Sequence, residues 1–112
     1  GIAAARGVRA ELQLEPGYPV VMNDAACADA VCRVAHAVVG EAATSDAGLP
    51  IAGGEDFAYM AQAVPGAFFF LGAGRPGGET PGCHHPDFDF DDAIIPTGVA
   101  MFLGLVEDRL GA

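Results

Sequence analysis

The sequence predicts an α/β fold on three observations. Ala67–Leu71 is apolar throughout, with Phe68, Phe69 and Phe70 at its centre. A run of this kind, without alternation, fits a strand covered on both faces. The segments Asp24–Val39 and Ala93–Leu110 are amphipathic, as helices packed on a sheet must be. Extended and helical segments alternate after residue 20, the pattern of an α/β layer. The expected arrangement buries Ala67–Leu71 in a sheet flanked by those two helices.

The elements follow in order. Ile2–Ala5 reads as the tail of a helix, with Gly7 as its C-cap. Val8–Glu15 alternates apolar and polar residues, so it is expected to be a strand with one buried face, in a sheet separate from the first. Pro16-Gly17 breaks it, and Tyr18–Met22 continues as extended chain. Asn23-Asp24 is suited to capping a helix. Behind it Cys27, Val31, Val34, Ala35 and Val38 recur at spacings of three and four until Gly40 ends the segment. Glu41–Pro50 is small and polar, a loop. Gly53-Gly54 precedes Glu55-Asp56, which open a helix running to about Ala63, where carboxylates suit the positive end of the helix dipole. Gly72–Gly82 is rich in Gly and Pro and reads as a loop. The last helix can tolerate Pro96 only near its start, so a turn is expected before the helix proper.

Charge and cysteine content narrow the functional classes. Five basic residues against fifteen acidic ones give a net charge of −10. Nucleic acid is thereby a poor partner, since phosphate binding needs clustered Lys and Arg. No apolar stretch is long enough to span a membrane, and no signal peptide pattern opens the chain. Cys27, Cys32 and Cys83 are an odd number, which argues against a disulfide framework and for reduced thiols in the cytoplasm. Cys27 and Cys32 read as small buried hydrophobes.

Two places could carry chemistry. Cys83, His84, His85, Asp87, Asp89, Asp91 and Asp92 form the densest polar cluster, beyond the apolar run and its Gly-rich loop. Imidazole and carboxylate are ligands for divalent ions. The alternative is a solvated acidic turn with two ordinary surface histidines. The second place is Gly53-Gly54-Glu55-Asp56, where glycines before a helix let a ligand such as a carboxylate approach the backbone closely. It reads equally as an ordinary turn. His36 lies in mid-helix on the polar side. There is no Ser-His-Asp set, phosphate loop or CxxC pattern.

Four segments carry a resemblance. Gly17–Asp24, Gly53–Tyr59, Val64–Gly72 and His84–Asp91 together resemble the C-terminal end of the M20 metallopeptidases. The branch most similar is that of N-acyl-amino-acid amidohydrolases, the hippurate hydrolases among them. The resemblance implies a zinc-peptidase-like α/β catalytic domain over residues 17–112, preceded in residues 1–16 by the last helix end and strand of a lid, or dimerisation, domain. It implies hydrolysis of the amide bond of a small N-acyl amino acid. It also implies a divalent ion (zinc, manganese, cobalt or nickel), two per full-length site, and a parent that oligomerises through its lid. His84 matches the first histidine of the family's His-x-Pro motif, a metal ligand, while His85 falls on the variable position. Gly53, Gly54, Glu55 and Asp56 would form a pocket wall. The family's other ligands and its general base match nothing in these residues, so no catalytic residue is assigned and the chain alone is expected to be inactive. The competing reading is a non-catalytic small α/β domain that binds a metal or a partner.

Overall fold

The computed structural model describes residues 1–74, 81–89 and 91–111. Part of the expected Gly72–Gly82 loop, residues 75–80, lies outside them, as does Phe90 of the His84–Asp91 segment. Among the described residues four helices occur in the order α1 (Ile2–Ala5), α2 (Ala25–Val39), α3 (Phe57–Ala63) and α4 (Ile95–Leu110), with 3-10 turns at Glu41–Ala43 and Asp92–Ile94.

The helices start and stop for local reasons. The Asp24 carboxylate accepts from the Cys27 amide at 3.0 Å and so caps α2, satisfying one of the amides a helix start leaves unpaired. That bond holds the Asp24 carboxyl below the ordinary carboxylate range. Its contribution to the folded state is therefore present above the unfolded pKa and lost as pH falls through the lowered native one. Gly7 adopts φ +67°, which lets the chain turn back so that the Val8 amide reaches the Ala3 carbonyl at 2.9 Å. The turn expected before the last helix is present: Asp91 accepts from the Ala93 amide at 3.0 Å, Asp92–Ile94 makes one 3-10 turn, and Pro96 falls at the start of α4.

The α/β fold itself is corrected. Among the described residues there is no strand and no sheet. A strand exists only when a neighbour takes up its amides and carbonyls, and the apolar run finds no such neighbour here. Both backbone groups of Phe68 are taken by a side chain instead: the Asn23 amide donates to the Phe68 carbonyl at 3.0 Å and accepts from the Phe68 N–H at 2.8 Å. The Asp24 N–H meets the Gly66 carbonyl at 2.9 Å and extends the same attachment. Val8–Glu15 is not a strand either. Val8, Leu12 and Leu14 are 60%, 85% and 81% exposed, so the face expected to be buried is left uncovered by the described residues.

The main buried cluster lies between α2 and α4, while Ala58 of α3 is buried apart from it. Val34, Ala35 and Met101 are buried, with Val31, Val38, Phe69 and Leu105 partly buried around them. Phe69 faces this cluster and stands 6.0 Å, ring to ring, from Phe102. Phe68 turns instead to Phe57 of α3, at 5.5 Å, and to Phe70, at 5.3 Å. The apolar run is thus two-sided, with a helix pair on one side and α3 on the other. Arg33 and Asp108 join α2 to α4 by an ion pair of 3.0 Å at the surface, a minor contribution beside the apolar packing. The radius of gyration is 19.7 Å and the longest extent 67 Å, against a radius of roughly 13 Å for a compact chain of this length, so the chain is elongated and much of its apolar surface stays uncovered.

Cysteine exposure also departs from expectation. Cys27 is half-buried, but Cys32 and Cys83 are exposed. Cys32 lies on α2 beside an open groove rather than under α4. Burial, and after it the adjacent Asp24 carboxylate, push the Cys27 thiol pKa up. Iodoacetamide at neutral pH is accordingly expected to alkylate Cys27 about tenfold more slowly than Cys32 or Cys83, since the thiolate is the reacting form. Peptide mapping of a timed reaction reads this directly, and equal rates at Cys27 and Cys32 would contradict the packing of α2.

Candidate functional site

The first candidate, Gly53–Asp56, is built by the approach of an aromatic ring. A Cβ on Gly54 would stand 3.0 Å from Cδ2 of Tyr18, while one on Gly53 would meet nothing within 4 Å. A side chain at position 54 would have to push the Tyr18 ring aside by a few tenths of an ångström, and that ring also stacks edge-on against Tyr59 of α3 at 6.1 Å. Glu55 accepts from the Phe57 amide at 3.0 Å and fastens the start of α3. Asp56 makes no side-chain cap bond there. The segments Gly17–Asp24 and Gly53–Tyr59, far apart in sequence, thus meet through Tyr18. Tyr18 was not among the candidates from sequence, and the pairing of a glycine-rich turn with a distant Gly-Tyr-Pro is a signal visible only once the chain is folded.

The second candidate lies on two successive tight turns. The His85 amide bonds to the Gly82 carbonyl at 2.8 Å, and the Phe88 amide to the His85 carbonyl at 3.0 Å. His85 Nδ1 accepts the Asp87 N–H at 3.1 Å and lies 3.8 Å from the Asp87 carboxylate. One nitrogen of His85 is thereby engaged within its own turn. His84 is exposed, and no described residue hydrogen-bonds to its ring. Of the neighbouring carboxylates, Asp87 sits beside His85 and Asp91 caps the 3-10 turn.

Whether these residues fit a metal can be judged from the donor set. Among the described residues, no three His, Cys, Asp or Glu side chains come together in a way that could hold an ion. A protein site takes three or more ligands, so the described residues do not fit a metal centre by themselves. His84 offers a single imidazole, exposed and without a hydrogen-bond partner among the described residues.

A groove of about 1070 Å³ opens between α2, the 44–51 segment and the apolar run, walled by Val31, Ala35, Val39, Phe69 and Met101 with Cys32 and His36 at its side. Neither the Gly53–Asp56 turn nor His84 lines it. No described helix is long and apolar enough to cross a membrane.

Known proteins give these motifs their context. The family described as Peptidase family M20/M25/M40 matches residues 3–108. An uncharacterized hydrolase of Sinorhizobium fredii is 38% identical over 101 residues, which is 87% of this chain and 24% of that protein. The N-acetylcysteine deacetylase of Bacillus subtilis is 33% identical over 109 residues, 94% of this chain and 26% of its own length. The N-acetyldiaminopimelate deacetylase of Lacticaseibacillus casei is 30% identical over 112 residues, 98% of this chain and 28% of that protein. The chain spans about a quarter of the length of the curated relatives it matches. No solved structure is significantly similar to it. With the family match running across both candidate turns and all of α2 and α3, this chain belongs to the M20/M25/M40 peptidase family.

Proposed function

We propose that the chain is the C-terminal part of a cytoplasmic, metal-dependent amidohydrolase that releases an amino acid from its N-acyl form, hippurate-like substrates included. Residues 17–112 would belong to its catalytic domain and residues 1–16 to the end of a lid through which the parent oligomerises. The observation that carries the reading is the family match over residues 3–108. The names of two relatives support the substrate class, since N-acetylcysteine and N-acetyldiaminopimelate are both N-acylated amino acids. His84 would give one ligand to a divalent ion, and Gly53, Gly54, Glu55 and Asp56 would wall the pocket, with Tyr18 fixing that turn.

On this reading the protein's own residues bind and orient, and the water-activating base comes from elsewhere in the polypeptide. The purified 112-residue chain is therefore expected to give no turnover of N-acetylcysteine or hippurate above the uncatalysed rate, with or without added zinc, manganese, cobalt or nickel. Release of free amino acid would be followed by amine derivatisation. Metal-dependent turnover by this chain alone would overturn the assignment of the base and remaining ligands to other segments.

A further inference from the structure

Tyr18 stands where two segments far apart in sequence meet. Its Cδ2 and Cε2 are the atoms that a Cβ on Gly54 would approach, at 3.0 and 3.8 Å, and among the described residues nothing else comes within 4 Å of that position. The φ of Gly54 is not positive, so alanine suits its backbone, and only the ring resists an added methyl. The same ring stands edge-on against Tyr59, in the first turn of α3. One side chain thus meets both the Gly53–Asp56 turn and the helix that follows it.

Both partners are referred to a common footing. The chain just beyond Tyr18 is fastened to the apolar run by Asn23, which bonds both backbone groups of Phe68, and by the Asp24 amide on the Gly66 carbonyl. On the other side Phe57, next to the turn, packs on Phe68 at 5.5 Å. The Tyr18 ring closes the circuit, so the turn is located from both directions. This contact lies outside the α2–α4 cluster, and Tyr18 and Tyr59 are more than half exposed. Its loss should therefore free the turn without unfolding the core.

We infer that Tyr18 is a positioning residue for the proposed hydrolysis: its ring, and not its hydroxyl, sets where the Gly53–Asp56 turn stands and so how tightly the substrate is held. The inference rests on the functional reading above in taking that turn as a pocket wall. A displaced wall weakens the hold on substrate and transition state alike, which raises KM and leaves kcat.

The test has two arms. In the 112-residue chain, hydrogen exchange over residues 53–59 is compared between the parent, Tyr18→Phe and Tyr18→Ala. In a full-length chimera, this chain replaces the matching 109 residues of the B. subtilis N-acetylcysteine deacetylase, and KM and kcat for N-acetylcysteine are measured for the same variants and for Gly54→Ala. Tyr18→Ala is expected to speed exchange at 53–59 while α2 and α4 exchange as before. It should raise KM about tenfold, short of the roughly 100-fold that an ångström of misplacement costs, with kcat kept within about twofold. Tyr18→Phe should match the parent in both arms. Gly54→Ala should raise KM by itself and add nothing once Tyr18 is replaced by alanine, because the methyl then meets open space. Unchanged exchange in Tyr18→Ala overturns the inference. So does a loss of kcat or of folded enzyme at unchanged KM, which is what a merely structural role gives. A Gly54→Ala effect that persists in full without the ring overturns it as well. The two readings fail separately: a parent chimera that hydrolyses no N-acetylcysteine sinks the catalytic reading, while exchange at 53–59 still decides whether the ring holds the turn.

Discussion

In a full-length M20 enzyme carrying this chain, His84→Ala is expected to lower turnover of an N-acetyl amino acid by more than about 100-fold and to lower bound metal, while His85→Ala retains most of both. The magnitude follows from metal sites in general, where even an outer partner of a ligand costs 10–100-fold in affinity or activity, so a direct ligand should cost more. The contrast between the two histidines comes from the family resemblance, which places the ligand at His84, and the geometry of their turns agrees with it. A neutral imidazole has one lone pair to offer a metal, and the Nδ1 of His85 already accepts the Asp87 amide at 3.1 Å. Pro86 further restricts the backbone at His85. The His84 ring has no hydrogen-bond partner among the described residues. Metal analysis and steady-state kinetics on the two single variants side by side decide the matter. Loss of metal in His85→Ala with retention in His84→Ala would move the ligand by one residue.

The second large effect concerns stability. Gly104→Val is expected to destabilise the 112-residue chain by about 1–3 kcal/mol, the range for overfilling a packed contact. A Cβ on Gly104 would stand only 2.7 Å from Cγ1 of Val34, and Val34 is 7% exposed with α4 packed over it. The valine side chain is stiff at χ1 in a helix and has little room to turn away. Even Gly104→Ala, worth about 1 kcal/mol in helix propensity alone, should lose that gain to the clash. Val34→Ala should recover part of the loss, giving a coupling in a double-mutant cycle that independent sites would not show. Urea denaturation followed by helical circular dichroism measures all four chains. An unchanged midpoint for Gly104→Val would mean that α2 and α4 do not meet at this point.

The helices were legible in the sequence because the causes of a helix are local. Asp24 and Gly40 bracket α2, and Val31, Val34, Ala35 and Val38 mark its buried side, as the structure finds. The turn before α4 followed from Pro96. The α/β fold was misread because a strand is defined by its neighbour. Phe68–Phe70 has the composition and the two-sided packing of a strand, but the Phe68 N–H and carbonyl find Asn23 rather than a ladder. Val8–Glu15 failed in the same way, since alternation describes which face would be buried and not what would cover it. At the candidate site the sequence marked Gly54 but not its neighbour, because the Tyr18 ring that a Cβ there would crowd lies 36 residues away. Cys32 was placed inside by residue type, whereas its position on α2 puts it beside the groove.

The hold of Asn23 on Phe68 has a consequence for the protein with age. Deamidation of Asn23 to aspartate would replace the donor nitrogen by an oxygen, 3.0 Å from the Phe68 carbonyl oxygen. An ionised carboxylate only accepts, so attraction at that atom becomes repulsion while the bond from the Phe68 amide survives on the other oxygen. Because the change is covalent and one-way, each aged molecule would carry a loosened clasp on its most apolar segment. Stored samples should then show faster hydrogen exchange around Pro65–Phe70 in the deamidated fraction than in the intact one, with α2 and α4 exchanging alike in both. A shelf-life set by one exposed amide would follow from a fold that lets a side chain do the work of a neighbouring peptide group.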